Sequence, residues 1–526
     1  MIDTVALREK VLDLAIRGKL VPQDPNDEPA SVLLERIRAQ KQQMVKAGKL
    51  KAKDIKDDSI IFVGEDNLHY EKFANGTIKC IEDEIPFELP EGWSWERLSN
   101  LASFSGGKTP STSKREYWEG NILWVTSKDM KCKYIDSSLL MISEKGLEQM
   151  QLYPENTLLL VTRSGILRHT IPVAILKKPA TINQDLKAIM LYIPNLEEYI
   201  YICIKGMESR LILEYTKAGA TVENINFDAF QKILLPIPPE NQIQRIIDAT
   251  NDTDEVIGKL KTDQEDLIDI IDKTKSKILD LAIHGKLVPQ NPDDKPASTL
   301  LERIKAEKEE LIKAGKIKRD KKESVIFKGE DNSYYEKFDD GEIKCIDEDV
   351  PFELPESWCW CRLGTLFAHN TGKALNSSDS AGTLMTYITT SNLYWDRFEL
   401  DSLKEMPFTE SEIDKCTVTK GDLLVCEGGD IGRSAIWMFD NDIRIQNHIH
   451  RLRPYISLSN RFYYYVLYMW KQMGLIGGQG IGLQGFSSKA LHNLIVPLPP
   501  IKAQETIVAF VDEINHKLTS IENSLT

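Results

Sequence analysis

Twelve residues near the start of this chain, Leu12-Asp13-Leu14-Ala15-Ile16-Arg17-Gly18-Lys19-Leu20-Val21-Pro22-Gln23, return 267 positions later, running from Leu279 through His284 to Gln290 with one change. The match continues downstream. Leu33-Leu34-Glu35-Arg36-Ile37 recurs at 300–304, Lys46-Ala47-Gly48-Lys49 at 313–316, and Pro86-Phe87-Glu88-Leu89-Pro90-Glu91 at 351–356. Identity fades past Trp93-Ser94-Trp95 and Trp358-Cys359-Trp360, then reappears as Leu235-Pro236-Ile237-Pro238-Pro239 and Val496-Pro497-Leu498-Pro499-Pro500. Self-similarity at a long period means that one structural task is performed twice. Two like frames therefore hold two unlike interiors, 86–239 and 351–500, and the interiors are free to do different things.

The frame reads as helix. After Pro239, residues Ile257, Leu260, Gln264, Leu267, Ile271, Thr274, Ile278 and Leu281 alternate spacings of three and four, the seam of a coiled coil, with Gln264 and Thr274 as polar intruders that set register. Leu518, Ile521 and Leu525 at one end of the chain, then Leu7, Val11 and Leu14 at the other, repeat that seam in two pieces. Counted from Met1 and Thr526, the two ends together rebuild the central helix. The expectation is an antiparallel coiled coil with an internal pseudo-two-fold, the central helix running from about 243 to 283 and on the order of 60 Å long. Such a rod would hold two readers at a set separation, facing opposite ways. A second helix in each frame, 30–47 and 297–314, is expected to be capped by Ser31 or Ser298 and closed by Gly48 or Gly315. Its apolar face (Leu33, Leu34, Ile37, Met44; Leu300, Leu301, Ile304, Leu311) suits packing inside the chain better than docking on a partner.

The domain plan follows: 1–50 N-terminal helical frame, 51–85 connecting segment, 86–239 first interior, 240–315 central helical region, 316–350 connecting segment, 351–500 second interior, 501–526 C-terminal helix. The interiors are mixed α/β (α+β), with strand-like runs at 157–162, 171–176, 189–193, 423–426 and 443–452.

Composition excludes several classes. There is no run of roughly 18 apolar residues, so no membrane span is spelled out. The eight cysteines are scattered, with no Cys-x-x-Cys, and fit a reducing cytoplasm better than a disulfide framework. A net charge of -14 speaks against nucleic-acid binding through bulk electrostatics. The acid is unevenly placed, however. Residues 86–240 hold 17 Lys/Arg against 18 Asp/Glu and 351–500 hold 13 against 15, so most of the negative charge sits in the frame.

Enzyme motifs are incomplete. Gly107-Lys108-Thr109 ends like a phosphate loop, but Ala102 stands where that loop needs glycine and Pro110 where a helix should continue. Pro238-Pro239-Glu240 and Pro499-Pro500-Ile501 lack the Asp/Asn and aromatic flanks of an amino-methyltransferase tetrapeptide, and no Gly-x-Ser-x-Gly elbow occurs. His448-Ile449-His450 could aim two rings at a metal from one strand face, but such pairs are usually incidental. No metal and no catalytic residue is assigned.

The Gly92-Trp93-Ser94-Trp95 opening, the loop Gly106-Gly107-Lys108-Thr109-Pro110, the run Glu116-Tyr117-Trp118-Glu119-Gly120-Asn121-Ile122-Leu123-Trp124-Val125, the Pro-x-Pro-Pro exits and the duplicated layout resemble the DNA specificity (S) subunit of type I restriction-modification systems, over nearly the whole chain. The resemblance implies two target recognition domains, each reading one half of a bipartite, asymmetric double-stranded DNA site. It also implies a coiled coil that spaces them and docks two methyltransferase subunits. Restriction/translocase subunits would complete the complex in a prokaryotic cytoplasm. S-adenosylmethionine would belong to the adenine-N6 methyltransferase subunits, ATP and Mg to the restriction subunits, and this chain would be non-catalytic. The alternative from another class is a structural scaffold repeat protein with no DNA role.

Within the interiors, cations beside glycine, serine and threonine loops are the candidates for DNA contact, because Lys and Arg grip phosphate or read guanine while small residues let the backbone approach. They are Gly106, Gly107, Lys108, Thr109, Lys114, Arg115, Lys128, Lys131, Lys133, Arg163, Ser164 and Arg168 in the first interior. In the second they are Lys373, Ser391, Asn392, Arg433, Gln446 and Asn447, the amides being suited to adenine edges. Trp118 and Trp124 are read as core.

Overall fold

The computed structural model describes residues 2–56, 58–217, 222–320, 322–375, 381–476 and 486–525. The chain divides after Gln264 into two compact units, and the division falls inside one long helix, Glu240–Ile283. That helix starts directly after Pro238-Pro239, where a missing N–H costs nothing.

In the N-terminal unit, helix Thr4–Ile16 is capped by Asp3, whose carboxylate accepts from the Val5 and Ala6 N–H groups. Arg8 pairs with Asp254 at 2.5 Å, Asp27 with Arg245 and Arg36 with Glu240. As the chain advances its contacts step backwards along the long helix, so the two run antiparallel. Ala15 and Ile16 share a core with Ile243, Ile246 and Ile247. In the C-terminal unit, helix Ile501–Leu525 runs in the same sense against the other part of the long helix. Glu522 meets Lys275 at 2.5 Å, while Ile507 and Val511 lie in one cluster with Leu279, Ala282 and Ile283.

The expected seam is drier at some positions than others. Val11, Ile257 and Ile271 are buried, and Leu14, Leu260, Ile278, Leu281, Leu518 and Leu525 half-buried. Leu7, Leu267 and Ile521, however, are exposed at 38%, 37% and 46%. A helix pair shields a side chain from one side only, and full burial needs further neighbours. Met1 and Thr526, from which the register of the ends is counted, lie outside the described residues.

The second helices are Ala30–Lys46 and Ala297–Lys313. Their cap positions are Pro29 and Pro296, with no side-chain cap bond, and Ser31 and Ser298 fall inside the first turn. Leu33, Leu34 and Ile37, like Leu300, Leu301 and Ile304, are buried in their own unit's core.

The connecting segments are folded. Strands Ser59–Val63, His69–Phe73 and Ile78–Cys80 form an antiparallel meander, repeated as Ser324–Lys328, Tyr334–Phe338 and Ile343–Cys345. Each meander is pinned to its interior by an ion pair set among buried groups, Arg97–Glu71 at 2.8 Å and Arg362–Glu336 at 2.6 Å. Its inner serine, Ser59 or Ser324, donates to the same carboxylate at 2.6 Å.

Each interior opens and closes on one antiparallel pair, Ser94–Arg97 with Leu234–Ile237 and Cys359–Arg362 with Ile495–Leu498. That pairing explains why identity survives at the two edges of each interior. Gly18 and Gly285 show the same logic, because a Cβ there would lie 2.6 Å from Pro90 and 2.5 Å from Pro355. Trp93 Nε1 donates to Gln23 at 3.1 Å and Trp358 Nε1 to Gln290 at 3.0 Å.

Between those pairs, among the described residues, lie two main sheets per interior and one two-stranded ribbon, Thr216–Lys217 with Asn224–Ile225 and Leu393–Tyr394 with Arg397–Phe398. One main sheet runs Ala102–Gly106, Leu186–Leu191, Leu158–Val161, Val173–Leu176, Tyr134–Ile135 in the first interior and Phe367–Thr371, Ile449–Pro454, Leu423–Cys426, Ser434–Ile436 in the second. The other main sheet holds a parallel pair in both, Ile122–Val125 with Ala180–Ile182 and Thr383–Ile388 with Ile443–Ile445. The run expected over 443–452 is thus two strands, broken at Gln446-Asn447, where the chain leaves one sheet for the other.

Candidate nucleic-acid interface

The expected contact residues gather where those parallel strands end, and the backbone there is built the same way twice. Lys108 N donates to Ile182 O at 3.0 Å, as Lys373 N does to Ile445 O at 3.1 Å. Asn183 N donates to Val125 O and Gln446 N to Ile388 O, both at 3.0 Å. Thr162 N reaches Asp185 O at 2.8 Å, matched by Glu427 N to His448 O at 2.9 Å. Even the turn after the first parallel strand repeats: Thr126 N donates to the Asp129 carboxylate at 2.8 Å and Thr389 N to Asn392 Oδ1 at 2.9 Å. Glycine is required at the crossing point. A Cβ on Gly107 would lie 2.1 Å from Asn183 O, and one on Gly372 would lie 1.9 Å from Ile445 O.

On this common cradle the side chains differ. In the N-terminal unit Lys108, Thr109 and Lys128 are exposed, and Thr109 Oγ1 donates to Gln184 Oε1. Gly106 ends its strand beside Lys187, whose Nζ would lie 3.1 Å from a Cβ placed there. Arg163 and Ser164 follow Thr162 on the adjoining loop. Arg163 bridges to Asn224, and Ser164 caps the turn Gly165–Arg168. The bonds of Thr109 to Gln184 and of Thr162 to Asp185 bring Lys108, Thr109, Arg163 and Ser164 into one group with Gln184 and Asp185.

Arg168 sits beside that group: it donates to Glu223, whose backbone carbonyl accepts from Ser164 N at 3.1 Å, and it holds that carboxyl below its ordinary range. Others stand apart. Arg115 pairs with Glu119 at 2.5 Å, and Lys114 Nζ donates to the Tyr117 hydroxyl at 3.1 Å. Lys133 turns to Glu198 at 3.1 Å and Asn251 at 2.9 Å, away from the group, while Lys131 is exposed. Trp118 and Trp124 meet edge to face at 4.9 Å; Trp124 is buried and its Nε1 donates to Lys108 O at 3.2 Å, buttressing the cradle as core, whereas Trp118 is half-buried.

In the C-terminal unit several expected surface groups face inward. Lys373 is 8% exposed, and its ammonium donates to Pro407 O at 2.8 Å and Glu412 at 2.9 Å. The Thr409 N–H and this lysine hold the Glu412 carboxyl low. Asn392 is buried, accepting from Thr389 and donating to Glu399 O at 3.0 Å. A buried amide must find such partners, which is why it makes the turn rather than a surface. Arg433 donates to Thr390 O and lies 4.9 Å over the Tyr394 ring. Ser391 stays exposed, and Gln446 and Asn447 are half-buried at the cradle. His448 is exposed and His450 fully buried, its Nε2 donating to Phe486 O at 2.8 Å and its Nδ1 2.9 Å from His369 Nε2. Burial, then the neighbouring His450 and His492, push His369 down to about 3. Among the described residues no cluster of three or more His, Cys, Asp or Glu gathers as a metal site.

Sequence reasoning passed over Asn183 and Gln184, the counterparts of Gln446 and Asn447. The signal was present: Ile182-Asn183-Gln184 and Ile445-Gln446-Asn447 are both an isoleucine followed by two amides.

Compared with known proteins, residues 90–267 and 355–526 match the model of the type I restriction modification DNA specificity domain. The chain is 26% identical to the type I restriction enzyme EcoAI specificity subunit of Escherichia coli, over 97% of this chain and 88% of that one. It is 28% identical to the EcoEI specificity subunit of the same organism, over 69% and 62%. The solved HsdS subunit of Thermoanaerobacter tengcongensis aligns over 84% of this chain and 94% of its own at 14% identity, with a TM-score of 0.46.

Proposed function

This chain belongs to the type I restriction modification DNA specificity family, and from that membership we propose that it selects DNA for such a system, each interior reading one half of a bipartite, asymmetric duplex site. The observation that carries the reading is the duplicated cradle. One backbone framework presents Lys108, Thr109, Lys128 and Gln184 in one unit and Ser391, Gln446 and Asn447 in the other. A scaffold protein has no use for a conserved frame with exchanged surface chemistry, whereas a reader of two unequal half-sites needs it. The helical frame sets the spacing of the half-sites and docks two methyltransferase subunits. In this reading S-adenosylmethionine, methyl transfer to adenine N6, ATP and Mg all belong to partner subunits, and the chain works in the cytoplasm.

The charge of -14 implies weak DNA binding by the chain alone, since acidic helices repel the phosphates that the near-neutral interiors attract. In a gel-shift series, affinity should rise by at least tenfold once methyltransferase subunits are added. Label from S-adenosylmethionine should reach DNA only in their presence. Methyl transfer by the purified chain, or equal affinity with and without partners, overturns the proposal.

A further inference from the structure

We propose that Gln184 and Asn447 are base-reading residues, one per half-site, each presenting its amide to an adenine edge. The inference rests on the reading of the chain as a selector of bipartite DNA and adds which side chains select. Both residues occupy the same place, the second position past a parallel strand, directly after the close approach of Gly107 or Gly372 to the backbone. The main chain there is held from both sides by the repeated hydrogen bonds to Val125 and Ile388 and from Thr162 and Glu427. A side chain on so constrained a backbone loses little freedom on binding, which favours selection by precise hydrogen bonds.

The surroundings fit a division of labour. Gln184 is exposed, and so is Lys108, the residue just before the Thr109 that bonds to it; Lys108 suits a phosphate contact that positions without selecting. Its own amide offers what adenine needs, a donor for N7 and an acceptor for the N6 amino group. Thr109 Oγ1 donates to Gln184 Oε1. That bond orients the amide and leaves one lone pair and both Nε2 hydrogens for a base. In the C-terminal unit Ala374 replaces Thr109, and the Asn447 side chain, one methylene shorter, makes no hydrogen bond to another described residue. The two readers thus share chemistry but differ in reach and orientation, as unequal half-sites require.

The test uses the chain assembled with its methyltransferase subunits on a library of randomised duplexes, scoring methylated sequences. Gln184→Ala should cut discrimination at one base pair of one half-site by about tenfold or more and leave the other half-site's profile intact. Asn447→Ala should do the mirror image. Thr109→Val, which keeps the amide but removes its orienting donor, should weaken the same base pair as Gln184→Ala by a smaller factor. Unchanged profiles for both alanine variants overturn the inference, as does equal loss across both half-sites, which marks a structural role. If the unaltered complex shows no bipartite preference at all, the functional reading falls first and takes this inference with it.

Discussion

The two interiors place a Gly-Lys pair on the same backbone and then use the lysine in opposite ways. Lys108 projects from its cradle into solvent, while Lys373 folds inward onto Pro407 O and Glu412. The glycine has no such latitude, because both copies touch a carbonyl. Backbone placement is thus the inherited part of the module and side-chain direction the variable part. The same holds one strand over, where Phe104 and Lys187 occupy the positions that His369 and His450 take in the other sheet.

If the cradle is truly common, Gly107→Ala and Gly372→Ala should each cost about 3 kcal/mol by overpacking against backbone that cannot yield. Urea unfolding followed by tryptophan fluorescence would measure both, and a loss in only one unit would break the equivalence. The histidine pair gives the next effect. His369 is held far below the ordinary imidazole value, so its neutral form is the native one. The stability this carries is full above the unfolded value near 6.5 and is lost as pH falls towards 3, about 2 kcal/mol by pH 5. His369→Phe, copying the other module, should remove most of that acid sensitivity from the C-terminal unit; identical denaturation midpoints for variant and parent at pH 5 and pH 7.5 would contradict it. The smallest effect separates the lysines. Lys373→Met should cost roughly 1.5 kcal/mol by stranding Glu412 and Pro407 O. Lys108→Met should leave stability within about 0.5 kcal/mol and lower the salt dependence of DNA binding by the assembled complex by about one contact. Equal stability losses for the two would erase the contrast.

Much of the architecture was legible beforehand. The repeat located both frames, the heptad spacing found the long helix to within a few residues of Glu240–Ile283, and the strand-like runs at 157–162 and 423–426 became Leu158–Val161 and Leu423–Cys426. The connecting segments were opaque, since short strands of mixed polarity resemble loops until their cross-strand partners are known. The closing glycines were read correctly, Gly48 and Gly315 standing at positive φ just past the last turn, but the N-terminal caps were misplaced because Pro29 and Pro296 look like mere flanks to a serine.

Of the candidate contacts, residue type and loop context drew attention to Lys108, Thr109 and Lys128 and to Gln446 and Asn447, each set at the cradle of its own unit. They could not separate these from Lys373 and Asn392, which are buried, or from Lys133, which pairs towards the helices. Periodicity and repetition are local properties and survive in the one-dimensional chain, so the order of elements and their duplication were settled there. Which way a polar side chain points depends on whether a carboxylate or carbonyl from a distant strand lies within about 3 Å of it. Only the folded chain brings Glu412 to Lys373, Thr109 to Gln184 and Phe486 to His450.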